Sequence, residues 1–153
     1  MPTLNNPAAP PEVPIREKRS GGRARGIGTH DALQLVRLVQ HGFPFSRLAS
    51  FQKATQFPWD TIARLVAIPP RTIARRQSQG RLRPDESDRV WRAAALFDRT
   101  VDLFEGDVAA ARRWLQAPQA GLGGQTPLDF ASTEVGAREV ERLLGRLEDG
   151  VFA

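Results

Sequence analysis

Few residues in this chain could do covalent or acid–base chemistry. The 153 residues contain two histidines, His30 and His41, and no cysteine. That leaves no thiolate nucleophile, no cluster at metal-ligand spacing and no nucleophile–base pair involving either histidine. The run Gly121-Leu122-Gly123-Gly124 is not followed by Lys-Ser or Lys-Thr and has no strand before it, so it is neither a phosphate loop nor a dinucleotide fingerprint. Carboxylates such as Asp85 and Glu86, or Glu139 and Glu141, are neighbours in sequence and read as a solvated face. No catalytic residue, metal or cofactor is assigned, and the expectation is a binding protein rather than an enzyme. Arginine is plentiful instead: of 22 basic residues only Lys18 and Lys53 are lysine. A planar guanidinium suits bidentate contact with phosphate or guanine, although GC-rich coding gives the same bias.

The arginines concentrate where a DNA-binding element would need them. Thr72, Arg75, Arg76 and Gln79 recur at i, i+3, i+4 and i+7, and Arg71 and Arg81 flank them. No acidic residue lies between Asp60 and Asp85, whereas Arg64, Arg71, Arg75, Arg76, Arg81 and Arg83 all do, so attraction to phosphate would be unopposed locally. Arg71, Thr72, Arg75, Arg76, Gln79 and Arg81 are the candidate DNA contacts. A dimer surface and a merely solubilising face are the other readings of the same residues. Over the whole chain, residues 1 to 83 carry 14 basic and 4 acidic groups, and 84 to 153 carry 8 and 13. An acidic partner therefore suits the first half alone.

The elements that position these residues are helices. Residues 1 to 28 are rich in Pro, Gly and Arg and poor in large aliphatics, which predicts a disordered basic arm. Apolar spacing predicts a first helix over 31 to 41, ended by Gly42. Ser46 is positioned to cap a second helix, and Pro58 to start a third that carries Ile62, Leu65 and Val66. Pro70 and Gly80 bracket a fourth helix, so that helices 58 to 66 and 70 to 79 form a helix-turn-helix. Pro84-Asp85-Glu86-Ser87 opens a long helix, with acid at its positive end and a stop at Gly106. Asp107 starts a short helix, Thr126 and Pro127 open another, and Thr133 or Ser132 caps the last. In that last helix Val140, Leu143, Leu144 and Leu147 form an apolar stripe. No strand is predicted. The fold class is all-α, with an arm over 1 to 28, a helix-turn-helix domain over 29 to 83 and a helical domain over 84 to 153. Met1 to Pro14 has no signal-peptide pattern, and no run approaches the roughly 20 apolar residues of a membrane span. With no cysteine, this predicts a cytoplasmic protein.

The stretch Leu122 to Asp129, then Thr133-Glu134-Val135-Gly136-Ala137, then Val140 with Leu143-Leu144-Gly145-Arg146 and the ending Gly150-Val151-Phe152 resembles the toxin-binding domain of the Xre/MbcA/ParS antitoxin family. Thr72-Ile73-Ala74-Arg75-Arg76 and Gly80-Arg81-Leu82 resemble that family's helix-turn-helix, of Xre/Cro type, so the likeness covers roughly 33 to 153. Phe130-Ala131 and Asp149 depart from the family's usual residues. The resemblance implies a homodimer that binds operator DNA in its own promoter and covers a RES-domain, NAD-consuming toxin. Carried over by position, Gly123, Gly124, Thr126, Pro127 and Leu128 shape the toxin-binding loop and helix start, and Gly150, Val151 and Phe152 form a plug for the toxin's active site. The residues alone allow that plug, since an apolar end after a flexible Gly can enter a cleft, and allow equally that Phe152 packs back on Leu143 and Leu147. The alternative function is a free-standing helix-turn-helix repressor whose C-terminal domain only dimerises or senses a ligand.

Overall fold

A computed structural model of the chain describes residues 29–150. The basic arm expected over 1 to 28, and Val151 and Phe152 of the expected plug, lie outside the described residues. The described residues form eight α-helices and one 3-10 turn: α1 Thr29–His41, α2 Phe45–Thr55, α3 Trp59–Val66, α4 Pro70–Gln79, α5 Pro84–Leu103, α6 Val108–Leu115, the turn Ala120–Leu122, α7 Pro127–Phe130 and α8 Glu134–Glu148. The only β-type pairing among them is a single antiparallel bridge between Pro44 and Arg81. No described helix is long and apolar enough to cross a membrane. Two compact units divide within α5, one running to Phe97 and the other beginning at Asp98.

In the first unit Phe43, Leu48, Phe51, Phe57, Ile62, Val66, Ile68 and Leu82 are buried around Val90 and Phe97 of α5. Phe97 is the centre of the aromatic packing, edge-on to Phe51 at 6.3 Å and to Phe57 at 6.1 Å between ring centres. The bridge closes the unit: Phe45 N–H donates to the Gly80 carbonyl at 2.9 Å and Leu82 N–H to the Phe43 carbonyl at 2.9 Å. Gly42 makes this approach possible, because a Cβ there would stand 2.3 Å from the Leu82 carbonyl oxygen, and its φ is +88°. Ser46 does not cap α2. The helix begins one residue earlier behind Pro44, and its first N–H is already taken by Gly80, so no side-chain acceptor is needed there. Helix α1 buries no described residue fully and leaves Leu33, Val36 and Leu38 exposed, despite their helical spacing.

The second unit is built on Leu103, Phe104, Trp114, Leu122, Leu128, Val140, Leu143 and Leu144. Helix α5 ends at Leu103, before Gly106, and the chain turns through Glu105 and Gly106 at φ 56° and 90°. Gly106 N–H then donates back to Val101. Asp107 caps α6 by accepting from Ala110 N–H at 2.9 Å. Thr133, not Ser132, caps α8 by accepting from Gly136 N–H at 3.0 Å. Gly136 itself is obligatory, since a Cβ would fall 1.6 Å from the Phe130 carbonyl oxygen. The stripe of α8 is buried at Val140, Leu143 and Leu144 but only half-buried at Leu147.

Candidate functional site

In the first unit α3, the turn and α4 supply the candidate DNA-facing residues. Ala67 closes α3 in the left-handed region at φ 52°, its N–H shared between the Ala63 and Arg64 carbonyls. Arg89 of α5 braces the same end, donating Nε to the Val66 carbonyl at 2.8 Å. Pro69 and Pro70 then fix the entry into α4. Arg71, Arg75, Gln79 and Arg81 are exposed, and Thr72 is half-buried. Arg81 is also held, since its Nη1 donates to the Gly42 carbonyl at 2.6 Å.

Arg76 does not join this exposed set. It is 5% exposed, and it forks onto Glu86 with Nε–Oε2 and Nη2–Oε1 distances of 2.8 Å each. Its Nη1 donates to Gln79 Oε1 at 3.0 Å. Helix α4 is rolled so that Ile73 and Arg76 face inward, and its exposed positions after Pro70 are Arg71, Ala74, Arg75, Gln77, Ser78 and Gln79. A stripe chosen by i, i+3, i+4 spacing alone contains both sides of that roll.

The sequence reads Glu86 as negative charge at a helix start and as part of a solvated face; the structure corrects the second reading, since Glu86 is buried and accepts from both Arg76 and Arg83. Besides Arg76 it takes the Arg83 N–H at 2.9 Å, filling one of the open donors at the start of α5. Burial by itself would raise the Glu86 carboxyl. The hydrogen bonds from Arg76 and Arg83, with the charges of both, outweigh it and hold the carboxyl below its ordinary range. For Arg76 the hydrogen bond to Glu86 outweighs burial and raises the guanidinium further. Ser87, also buried, accepts from Phe43 N–H at 2.8 Å and donates to the Arg83 carbonyl at 2.7 Å.

In the second unit the glycine-rich run is a closed turn. Gln119 N–H donates to the Gln125 carbonyl at 3.0 Å, and Gly124 N–H to the Gln119 carbonyl at 2.9 Å. Gly123 and Gly124 have φ of 65° and 81° with open space where a side chain would stand, so the backbone angle, not crowding, selects glycine. Thr126 accepts from Asp129 N–H at 3.1 Å and caps α7. Gly123 and Gly124 are exposed and Thr126 half-buried, whereas Pro127 and Leu128 are buried. The structure therefore brings five of the predicted toxin-binding residues into one turn but leaves only the first two of them fully exposed. Gly150 leaves α8 exposed at φ 75°. Val135, on the outward side of α8, is 75% exposed; it lies in the family-like motif but outside the apolar stripe, and its exposure carries no mark in the spacing. Single exposed aliphatics are common enough that no pattern rule would have marked it.

The fold is thus that of a helix-turn-helix protein carrying a second helical unit. Residues 34–95 match the model of the antitoxin Xre-like helix-turn-helix domain. Residues 99–150 match that of the antitoxin Xre/MbcA/ParS C-terminal toxin-binding domain. The chain is 37% identical over 142 residues to antitoxin Xre of Yersinia enterocolitica, covering 92% of this chain and 96% of that protein. It is 35% identical over 132 residues to antitoxin Xre of Photorhabdus laumondii, covering 86% and 89%. With antitoxin Xre of Pseudomonas putida it shares 34% identity over 84 residues, 54% of this chain and 52% of the relative. This chain belongs to the Xre antitoxin family.

Proposed function

We propose that the chain neutralises a RES-domain, NAD-consuming toxin by laying its C-terminal end, Gly150-Val151-Phe152, into the entrance of the toxin's active site. The match of residues 99–150 to a toxin-binding domain is the observation that carries this reading. Two features support it. The exposed glycine turn at Gly123 and Gly124 presents backbone to a partner, and Gly150 directs the chain out of α8 at its end. An apolar Val-Phe pair following that glycine then gains on the order of 1.5 to 3 kcal/mol for each side chain buried in a cleft.

The same reading has a homodimer in the cytoplasm bind operator DNA and repress its own operon. Arg71, Arg75, Gln79 and Arg81 are its contacts, with Thr72 at the edge and Arg76 removed from the set by its burial. Deleting Gly150 to Ala153 tests the first part. Co-expressed with the product of the adjacent reading frame, the shortened chain is expected to lose rescue of growth while keeping DNA binding. Undiminished rescue discards the plug.

A further inference from the structure

We propose that Arg99 is a positioning residue of the toxin-binding unit, fixing the last turn of α8 and so the direction in which Gly150 leaves it. The inference rests on the reading that this end enters the toxin. The apolar hold on α8 runs out early: Val140, Leu143 and Leu144 are buried, but Leu147 is only half so, and nothing apolar follows before Gly150. At that point a polar clamp takes over. Arg99, 49 residues away on α5, donates Nε to Glu148 Oε1 at 3.0 Å and Nη2 to Oε2 at 2.8 Å. This is the two-pronged geometry in which an arginine–carboxylate pair fixes orientation as well as attraction.

Three further features belong to the clamp. Gly145 lies under the guanidinium, since a Cβ there would stand 3.3 Å from Arg99 Nη2. The hydrogen bond to Glu148, opposed by partial burial, raises Arg99, and the charges of Glu141 and Asp149 add to it. A cation at a helix C-terminus is favoured in its own right. The backbone bonds that hold the final turn are Asp149 N–H to Gly145 and Gly150 N–H to Leu147, at 3.0 and 3.1 Å. Both sit beside the clamp and outside the buried stripe.

The test uses the full chain with Arg99→Gln, Glu148→Gln and Gly145→Leu, the last of which favours helix over glycine yet occupies the seat of the guanidinium. Amide exchange at Asp149 and Gly150 is expected to rise roughly fivefold in each variant, with Val140 to Leu144 unchanged. Against the adjacent gene product, neutralisation should weaken by a similar factor while co-purification persists. A loss of fold would move both together. Arg99→Lys, which keeps the charge without the fork, should fall between wild type and Arg99→Gln. Unchanged exchange at Asp149 and Gly150 overturns the clamp. Faster exchange with full neutralisation, in a chain that does need Gly150 to Ala153, overturns the positioning role. If deletion of those four residues is itself without effect, the plug reading falls, and exchange alone still decides the clamp.

Discussion

Among the described residues each unit has an arginine–glutamate fork between two helices, ten residues apart in the first unit and 49 in the second, and the two forks work in opposite conditions. Arg76 and Glu86 are both nearly closed to water, with side chains 6% exposed each, whereas Arg99 and Glu148 are 38% and 28% exposed. A buried pair recovers its desolvation only through complete hydrogen bonding, so removing one partner strands a charge. A half-exposed pair can be lost to water at small cost. The first unit thus commits an arginine of α4 to its own core, and the second uses one to aim its end. Two identical residue pairs teach that geometry and water, not residue type, decide whether an arginine is structural.

The contrast is tested most sharply by removing one partner at a time. Arg76→Ala or Glu86→Ala should destabilise by about 3 to 5 kcal/mol in chemical denaturation, while Arg76→Met with Glu86→Leu should recover most of that loss. The acid limb should carry the same signature. Because the Glu86 carboxyl is held below its ordinary value of 4.5 in the folded chain, the unfolded chain binds protons first as pH drops. The Glu86 contribution is then complete above that value and lost as pH falls through the lowered folded one. Glu86→Gln should flatten this part of a stability–pH profile, and an unchanged slope would count against the pairing.

On the outward side of α4, Arg71→Ala with Arg75→Ala should reduce promoter affinity and lower the slope of log affinity against log salt by about 1 per phosphate no longer neutralised. Retained affinity and slope would leave α4 a dimer or surface element. Arg76→Met with Glu86→Leu should keep that slope if Arg76 touches no DNA. The smallest effect is expected at an exposed cap: Thr133→Ala should cost about 1 kcal/mol by thermal or denaturant melting.

The helices were legible because apolar spacing and local caps are short-range signals. Thr126, Thr133 and Asp107 cap as their residue types and following turns imply. Ser46 failed as a cap because the α2 start is served from Gly80, a partner no local rule can see. The burial of Arg76 was hidden for the same reason, its carboxylate standing ten residues on, past a turn and in another helix. In α1, spacing alone could not show that Leu33 and Val36 would remain exposed. At the glycine turn of the second unit the glycines and Thr cap were readable, but which of them face outward depended on how deeply Pro127 and Leu128 sink.

The bridge at Gly42 to Phe45 has a kinetic side. Phe43 meets Ser87 across 44 residues, and Arg81 meets Gly42 across 39. A helical domain usually folds on contacts close along the chain, and these are not close. The chain must give up the freedom of that whole intervening loop before any of these bonds contributes. Closing the ring is therefore a non-local step inside an otherwise local fold, and its loop-closure entropy adds to the cost of folding. A side chain added at Gly42 would obstruct that step as well as the finished structure.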